Sequence, residues 1–534
     1  MPKAHLNQVI ASHFVELKAD QVPDQEILIF EDGSGSEEIL SYADLHHQSN
    51  KLARLLADQG IGKGDTFAVY MRNHPEFVYA LLAGTTLGAI AVPIDPRHRG
   101  ERLKFLLENS GAKAVLVSGE CMGALEELID EMPQIKFVTV AYRSEQDVPV
   151  SAKYHPLNET LEQDSWQRVE QQIMDVRHPM QIIYTSGTTG PPKGVMIRNN
   201  RTGLFTILTR LVWQYKKDDI LYNGLSLTHG NAQAVTLFPA LYSGIKAVFS
   251  PRFTKSRIWY ICRKYGCTSF SLLGGMMSAI YSEPPREDDA DNPVKKVISA
   301  GTPPAIWEDF EKRFDVKILE WYGSVEGGFA YKPIGKGPIG SFGKPVPGIM
   351  EFKVVDETDG EQPPDTTGEL ICRLLKGETK VDYLGMPEAS KEKTRGGWLR
   401  TGDMVHRDKD GWHYFDYRKG EELRRAGDFI QPDQVEKVIG EHPDISEVCV
   451  YGIPAASGAP GESDLVAAVT LFEEKEIDPE SILLKCRENL AANFIPSYLQ
   501  VVEEIPKTIS EKPLDRFLRE ALEKKEGKIY KLDT

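Results

Sequence analysis

Between residues 41 and 141 the chain repeats one pattern, a helix signal followed by a short apolar run and a turn. Ser41, with Asp44 three residues on, can cap a helix. Tyr42, Leu45, Leu52, Leu55 and Leu56 share one face of it, and Gly60 stops it. Strands are expected at 66–71, 89–94, 114–117 and 137–140, with helices near 76–83 and 102–108 between them. Parallel strands need a crossover segment, usually a helix, so this alternation predicts parallel sheets covered by helices, an α/β fold. Near residue 337 the pattern changes. The segment GPIGSFGKPVPG (337–348) is crowded with glycine and proline, and short strands at 351–355 and 369–374 follow. That reads as a small antiparallel β subdomain appended to the α/β core. After a charged run at 418–427 the chain restarts with a helix (432–439), strands at 447–451 and 464–472, and a helix with Asp478 at its N-cap and Pro479 at its first position. The expected division is a large N-terminal multilayer α/β domain at 1–417, a boundary at 418–421, and a smaller C-terminal α+β domain at 422–534. REDDAD (286–291) reads as a solvated loop, and the tail from Arg519 as a frayed helix end.

Composition narrows the class. The 534 residues carry 63 basic and 79 acidic side chains, a net charge of −16, which argues against a nucleic-acid partner but leaves room for a local basic pocket. With 41% hydrophobic and 27% charged residues the chain is ordinary globular material, long enough for a sizeable core. Cys121, Cys262, Cys267, Cys372, Cys449 and Cys486 are too sparse for a disulfide scaffold. The pair Cys262 and Cys267 alone makes a poor zinc site, so buried thiols in a reducing compartment are expected. No signal peptide is visible in MPKAHLNQVIASHF, and KLDT is not a peroxisomal address. The most apolar stretch, 80–94, is broken by Gly84, Gly88 and Pro93 and falls short of the ~18–20 residues that span a bilayer. A cytoplasmic protein without an integral membrane segment is expected. Homodimer formation is left open.

The densest chemistry lies in YTSGTTGPPKGV (184–195), which follows an apolar strand-like run. Glycines allow close backbone approach, hydroxyls and N–H groups can face a polyphosphate, and Lys193 adds a point charge. The spacing is not that of a Walker A loop. TSGTTGPPKG resembles the phosphate loop of the adenylate-forming superfamily, which contains acyl-CoA synthetases, peptide-synthetase adenylation domains and luciferases. Six further elements follow in that family's order: SAGTP (299–303), WYGSVEGG (321–328), GWLRTGD (397–403), YFDYRK (414–419), RAGDFIQPDQVE (425–436) and PKTISEKPLDR (506–516). The set is most similar to the CoA-ligase branch, in particular its carnitine/crotonobetaine-CoA ligase-like members.

The resemblance implies an AMP-forming acyl-CoA synthetase. ATP would activate a carboxylic acid to acyl-AMP with release of pyrophosphate, and CoA would then take the acyl group as a thioester. By correspondence, Thr185, Ser186, Gly187, Thr188, Thr189, Gly190 and Lys193 embrace the phosphates. Gly301, Thr302, Tyr322 and Gly323 form the adenine slot. Asp403 and Arg418 take the ribose, and Glu326 holds Mg²⁺. Lys512 points at the α-phosphate, and Arg424 and Gly427 serve CoA. His229, in SLTHGNAQ (226–233), is a catalytic candidate beside the acyl pocket, a gate between carboxylate and CoA tunnel, with Asn231 and Gln233, which suit either a polar acyl group or the support of neighbours. The C-terminal domain would be a mobile lid turning about a hinge at 418–421. Four residues depart from the family pattern. Val325 replaces a threonine, Gly420 a charged hinge residue, Tyr417 an aspartate before Arg418, and Glu511 the glycine before Lys512. The acid, and free CoA against a carrier-protein thiol, stay open. A regulator that binds nucleotide or acyl group without turnover is the non-enzymatic alternative.

Overall fold

The computed structural model of the chain describes residues 6, 9–143, 153–185, 192–419, 423–425, 428–430, 432–455, 463–473, 475–508 and 513–532. The strand–helix alternation does build parallel sheets. A seven-stranded sheet runs His155–Pro156, Phe137–Ala141, Ala114–Ser118, Thr66–Tyr70, Ile90–Ile94, Pro179–Tyr184 and Gly194–Arg198 in spatial order, parallel except for its last pair. In Thr66–Tyr70, Phe67 and Val69 enter one core while Ala68 and Tyr70 enter another, all fully buried. A strand covered on both faces is apolar along its buried length, and this one is from Phe67 to Tyr70. The capping box expected at Ser41 and Asp44 is present and opens the helix Tyr42–Asp58.

A second sheet of thirteen strands forms among the described residues. Its centre is parallel: Lys317–Gly323, Lys296–Ala300, Ser269–Leu273, Ile220–Asn223, Lys246–Phe249 and Glu26–Glu31. The expected antiparallel part is not a separate layer but continues this sheet edge to edge. Phe329–Lys332 folds back antiparallel on Lys317–Gly323, and Ser341–Pro345, His413–Arg418, Leu399–Arg407, Gly368–Leu374 and Met350–Val355 follow. The turn at 324–328 makes the reversal. It rests on Gly327 and Gly328, both at positive φ, where a side chain would be strained. The main apolar core, including Leu52, Phe67, Phe77, Phe249 and Phe270, draws on both sheets and the helices packed on them.

The C-terminal residues build a four-stranded sheet of Ile445–Pro454, Ser463–Leu471, Tyr498–Val501 and Lys528–Lys531 with its own core. The tail departs from expectation. Asp515–Glu523 is helical, and beyond it Lys528–Lys531 pairs antiparallel with Tyr498–Val501 instead of fraying. Its alternation is only four residues long and sits among charges, so sequence pattern alone is too short to reveal it. Residues 420 and 421 of the expected hinge lie outside the described residues. No helix among the described residues is long and apolar enough to cross a membrane.

The loop at 286–291 is only partly solvated. Asp289 is buried and accepts from Arg313 Nε at 2.7 Å, while that guanidinium also donates to the carbonyls of Tyr281, Glu283 and Pro284. Removing one partner of a buried pair leaves a charge without compensation. Asp289→Ala should therefore cost about 2–3 kcal/mol in urea unfolding, and Asp291→Ala, on the exposed side of the same loop, within about 0.5 kcal/mol. Equal effects would return the whole loop to solvent.

Candidate active site

In open α/β sheets the loops after the carboxyl ends of parallel strands surround a crevice, and here they carry the expected residues. Gly301 and Thr302 follow Lys296–Ala300. Glu320, on the neighbouring strand, holds that loop from below. Its Oε1 accepts from the Gly301 N–H at 2.7 Å and the Thr302 N–H at 3.2 Å, and its Oε2 accepts from the Thr302 hydroxyl. Burial pushes the Glu320 carboxyl up to about 7, against these donors and Lys332. Gly301 sits at φ +74°, and Gly274 must be glycine, because a Cβ there would lie 1.9 Å from the Gly301 carbonyl oxygen.

Tyr322 and Gly323 end the next strand. The Tyr322 ring packs on Phe342 with centroids 4.7 Å apart, and its hydroxyl donates to Asp403 Oδ2. Asp403 lies on the inward face of Leu399–Arg407, a strand in which buried and half-buried residues alternate, and its register partner is Arg418. Arg418 Nε stands 3.3 Å from Asp403 Oδ1. A carboxylate with two partners keeps acceptor capacity for a ligand's hydroxyls. Glu326, in the turn after Tyr322, accepts from the Tyr383 hydroxyl at 3.2 Å. The Lys193 ammonium lies 5.3 Å from the centre of the same Tyr383 ring. The neck of the glycine loop is closed by the Thr185 N–H donating to the Lys193 carbonyl at 3.0 Å. Ser186, Gly187, Thr188, Thr189, Gly190, Gly420, Gly427, Glu511 and Lys512 lie outside the described residues, as does the side chain of Arg424.

The acyl-pocket candidates separate. Gln233 is spent: its amide exchanges hydrogen bonds with Gln181 at 2.7 and 3.2 Å and donates to the Leu227 carbonyl at 2.8 Å. Asn231 Oδ1 accepts from Ser271 Oγ at 3.1 Å, while its Nδ2 is buried without a hydrogen-bond partner among the described residues. His229 Nδ1 accepts the Asn231 N–H at 3.1 Å, and burial pushes the ring down to about 4, only weakly opposed by Asp95. His229 is therefore neutral near pH 7, with its proton on Nε2. Pro239 explains the π-helical turn that follows, Ala232–Leu237. A proline cannot bond the carbonyl four residues back, and that Val235 oxygen accepts from the Tyr215 hydroxyl instead, at 3.0 Å.

Several residues of the site carried no motif. Asn73, buried after strand Thr66–Tyr70, donates to the Leu225 and Ser250 carbonyls and accepts from the Leu227 N–H, and so ties the His229 loop to the other sheet. Arg201 clamps the Ser324 and Val325 carbonyls. Glu320, Tyr383 and Lys393 complete the group. Apart from Lys393, which bonds Thr401 eight residues on, they act across at least 18 residues of sequence, beyond the reach of local spacing. Only Asn73, a polar residue directly after an apolar strand, left a signal that could have been read.

Mg²⁺ favours one or two carboxylates together with substrate phosphates over an all-protein cage. Glu326, whose carboxylate is shared only with a tyrosine hydroxyl among the described contacts, fits such a site.

The AMP-binding enzyme family model matches residues 15–375, and that of the AMP-binding enzyme C-terminal domain matches 434–512. A crotonobetaine/carnitine–CoA ligase of Salmonella arizonae is 27% identical over 516 residues, covering 93% of this chain and 96% of that protein. An anthranilate CoA ligase solved with anthranoyl-AMP superposes with a TM-score of 0.83 at 22% identity, over 98% of this chain and 99% of that one. The O-succinylbenzoate coenzyme A synthetase of Bacillus subtilis, solved with ATP and magnesium ion, has a TM-score of 0.76 at 23% identity, over 95% and 99%.

Because Glu320 has its carboxyl raised, its contribution to stability is fully present below the usual glutamate value of 4.5 and is lost as pH rises through about 7. Between pH 5 and 8 the urea midpoint of the wild type should fall relative to that of Glu320→Gln. Glu320→Ala, which strands two N–H groups, should cost about 2–3 kcal/mol at pH 5. Parallel pH curves for wild type and Glu320→Gln would show that the carboxyl titrates normally.

Proposed function

The chain belongs to the AMP-binding enzyme family, and on that premise we propose that it is an AMP-forming acid–CoA ligase acting in the cytoplasm. The observation that carries the reading is the Asp403 carboxylate, held between the Tyr322 hydroxyl and the Arg418 guanidinium beside the Gly301 loop. That arrangement suits a nucleoside, with a flat ring at Tyr322 and paired ribose hydroxyls on Asp403. Thr185, Lys193 and the glycine loop are assigned to the polyphosphate, and Glu326 would hold Mg²⁺, whose charge withdraws electrons from phosphate oxygens when it is bound. The carboxylate oxygen of the acid attacks the α-phosphorus, and the bond to the bridging oxygen breaks as pyrophosphate leaves with the electron pair. The CoA thiol, having lost its proton, then attacks the acyl carbon and AMP departs. Fixed donors aimed at the phosphate oxygens lower the first barrier. Lys512 is assigned to the first step, and Arg424 and Gly427 to the CoA side in the second, with residues 422–534 turning about 418–421 between them.

Neutral His229 orients the acid by donation from Nε2, without the grip of a full charge. The unpartnered Asn231 Nδ2 favours an acid whose acyl group bears a hydrogen-bond acceptor over a plain alkyl acid.

Pyrophosphate release measured across polar, aromatic and alkyl acids, with and without CoA, tests the reading. Acid-dependent release with a thioester product supports it. Turnover only with a carrier-protein thiol, or nucleotide binding with no turnover on any acid, would overturn it. Lys512→Ala should slow acyl-AMP formation at least 10²-fold yet spare thioester formation from supplied acyl-AMP, and equal loss in both halves would sink the two-state lid. Asn231→Leu should shift the kcat/KM ratio at least tenfold toward alkyl acids. An unchanged ratio would remove Asn231 from the acyl pocket.

A further inference from the structure

We propose that Lys393 is a nucleotide-binding residue that takes the α-phosphate, an assignment that rests on the ribose and metal roles given above to Asp403 and Glu326. Lys393 is the last residue of the helix Pro387–Lys393 and is half-buried. Its ammonium donates to the Thr401 carbonyl at 3.2 Å. Thr401 lies on the same inward strand face as Asp403, and its hydroxyl accepts the Asp403 N–H at 3.0 Å. The lysine is thereby anchored beside the carboxylate that would hold the ribose.

Its charge is not spent there. An ammonium has three donors, and a backbone carbonyl uses one. Among the described residues Lys393 forms no ion pair, whereas its cationic neighbours are engaged. Arg418 pairs with Asp403, Arg400 with Asp359 and Glu369, and Arg201 with two carbonyls. A half-buried cation without a counter-ion is costly, and an incoming anion relieves that cost. Burial accordingly pulls the Lys393 ammonium below the ordinary lysine value, and among the charges it feels are Glu326, Arg418, Asp403 and Glu369.

The connectivity of ATP indicates which anion. The α-phosphate is bonded to the ribose on one side and to the metal-bound phosphates on the other. A ribose on Asp403 and a metal on Glu326 place the α-phosphate between them, and the field of Lys393 reaches both carboxylates. The helix end also fits, because a lysine there loses less entropy on pairing than one on a free loop.

A purely structural lysine, tethering the helix to Thr401, would affect every ligand of the site alike. AMP carries the α-phosphate and adenosine does not, so calorimetric binding of the two separates the roles in the full-length chain. Lys393→Met should weaken AMP at least tenfold while adenosine changes less than threefold. Lys393→Arg should keep AMP within threefold of the wild type, and the urea midpoint of both variants guards against misfolding. Equal weakening of both ligands, or no weakening of AMP, would overturn the assignment while the nucleotide reading stands. Failure of the wild type to bind either ligand would overturn that reading and this one with it.

Discussion

The hydrogen bond from the Tyr322 hydroxyl to the Asp403 carboxylate joins two differently built parts of one sheet. Tyr322 ends a parallel strand of the centre, and Asp403 sits mid-strand in the antiparallel flank. Neither position has meaning for the site unless the two parts share a continuous ladder, and the fold-back of Phe329–Lys332 supplies it. A slip of one residue in Leu399–Arg407 would turn Asp403 outward and present Met404 to the crevice. The pairing of Asp403 with Arg418 opposes that slip electrostatically, so sheet register and site chemistry reinforce one another.

The electrostatics follow from the same geometry. A chain of net charge −16 repels anions at a distance, yet the proposed substrates are anions. The solution is local. Lys193 is oriented by the Tyr383 ring, Arg201 and Lys393 by backbone carbonyls, and Arg418 by a single carboxylate. Carbonyl and ring partners orient a cation without cancelling it, as full ion pairs would. Attraction inside a partly desolvated crevice outweighs that across the screened surface, where the Debye length is about 8 Å at physiological salt.

Much of this was legible beforehand because it is local. The helix cap at Ser41 and Asp44 and the strand–helix alternation declare themselves within short windows, whereas Thr185, Gly301, Tyr322, Glu326 and Asp403 stand out only as members of an ordered set of motifs. The supports do not. Glu320 looks like any strand glutamate until the ladder sets it beneath Gly301, and Arg201 looks like a helix-surface arginine until the 324–327 turn folds over it. Gln233 suited substrate recognition and the support of neighbours equally, and its paired bonds with Gln181, 52 residues away, favour support. Asp289 misled in the other direction, since a run of acids masked the one that is buried. Sequence reports what a residue can do, and long-range packing decides whether that capacity is already consumed.

The acyl side follows the same logic through backbone geometry. Pro239 forbids the ordinary helical bond to Val235, the turn before it widens, and Tyr215 satisfies the released carbonyl. Asn73 pins Leu225 and Leu227 from the opposite sheet, so the segment bearing His229 is held at both ends. Burial opposes protonation of this ring, because the cation would lose part of its solvation. Its neutrality is thus a product of the same contacts that fix its position. Under the proposed function, a carboxylate beside it would meet a directional donor instead of a counter-ion, and the positive charge would stay on the phosphate side, where charge builds during the transfer.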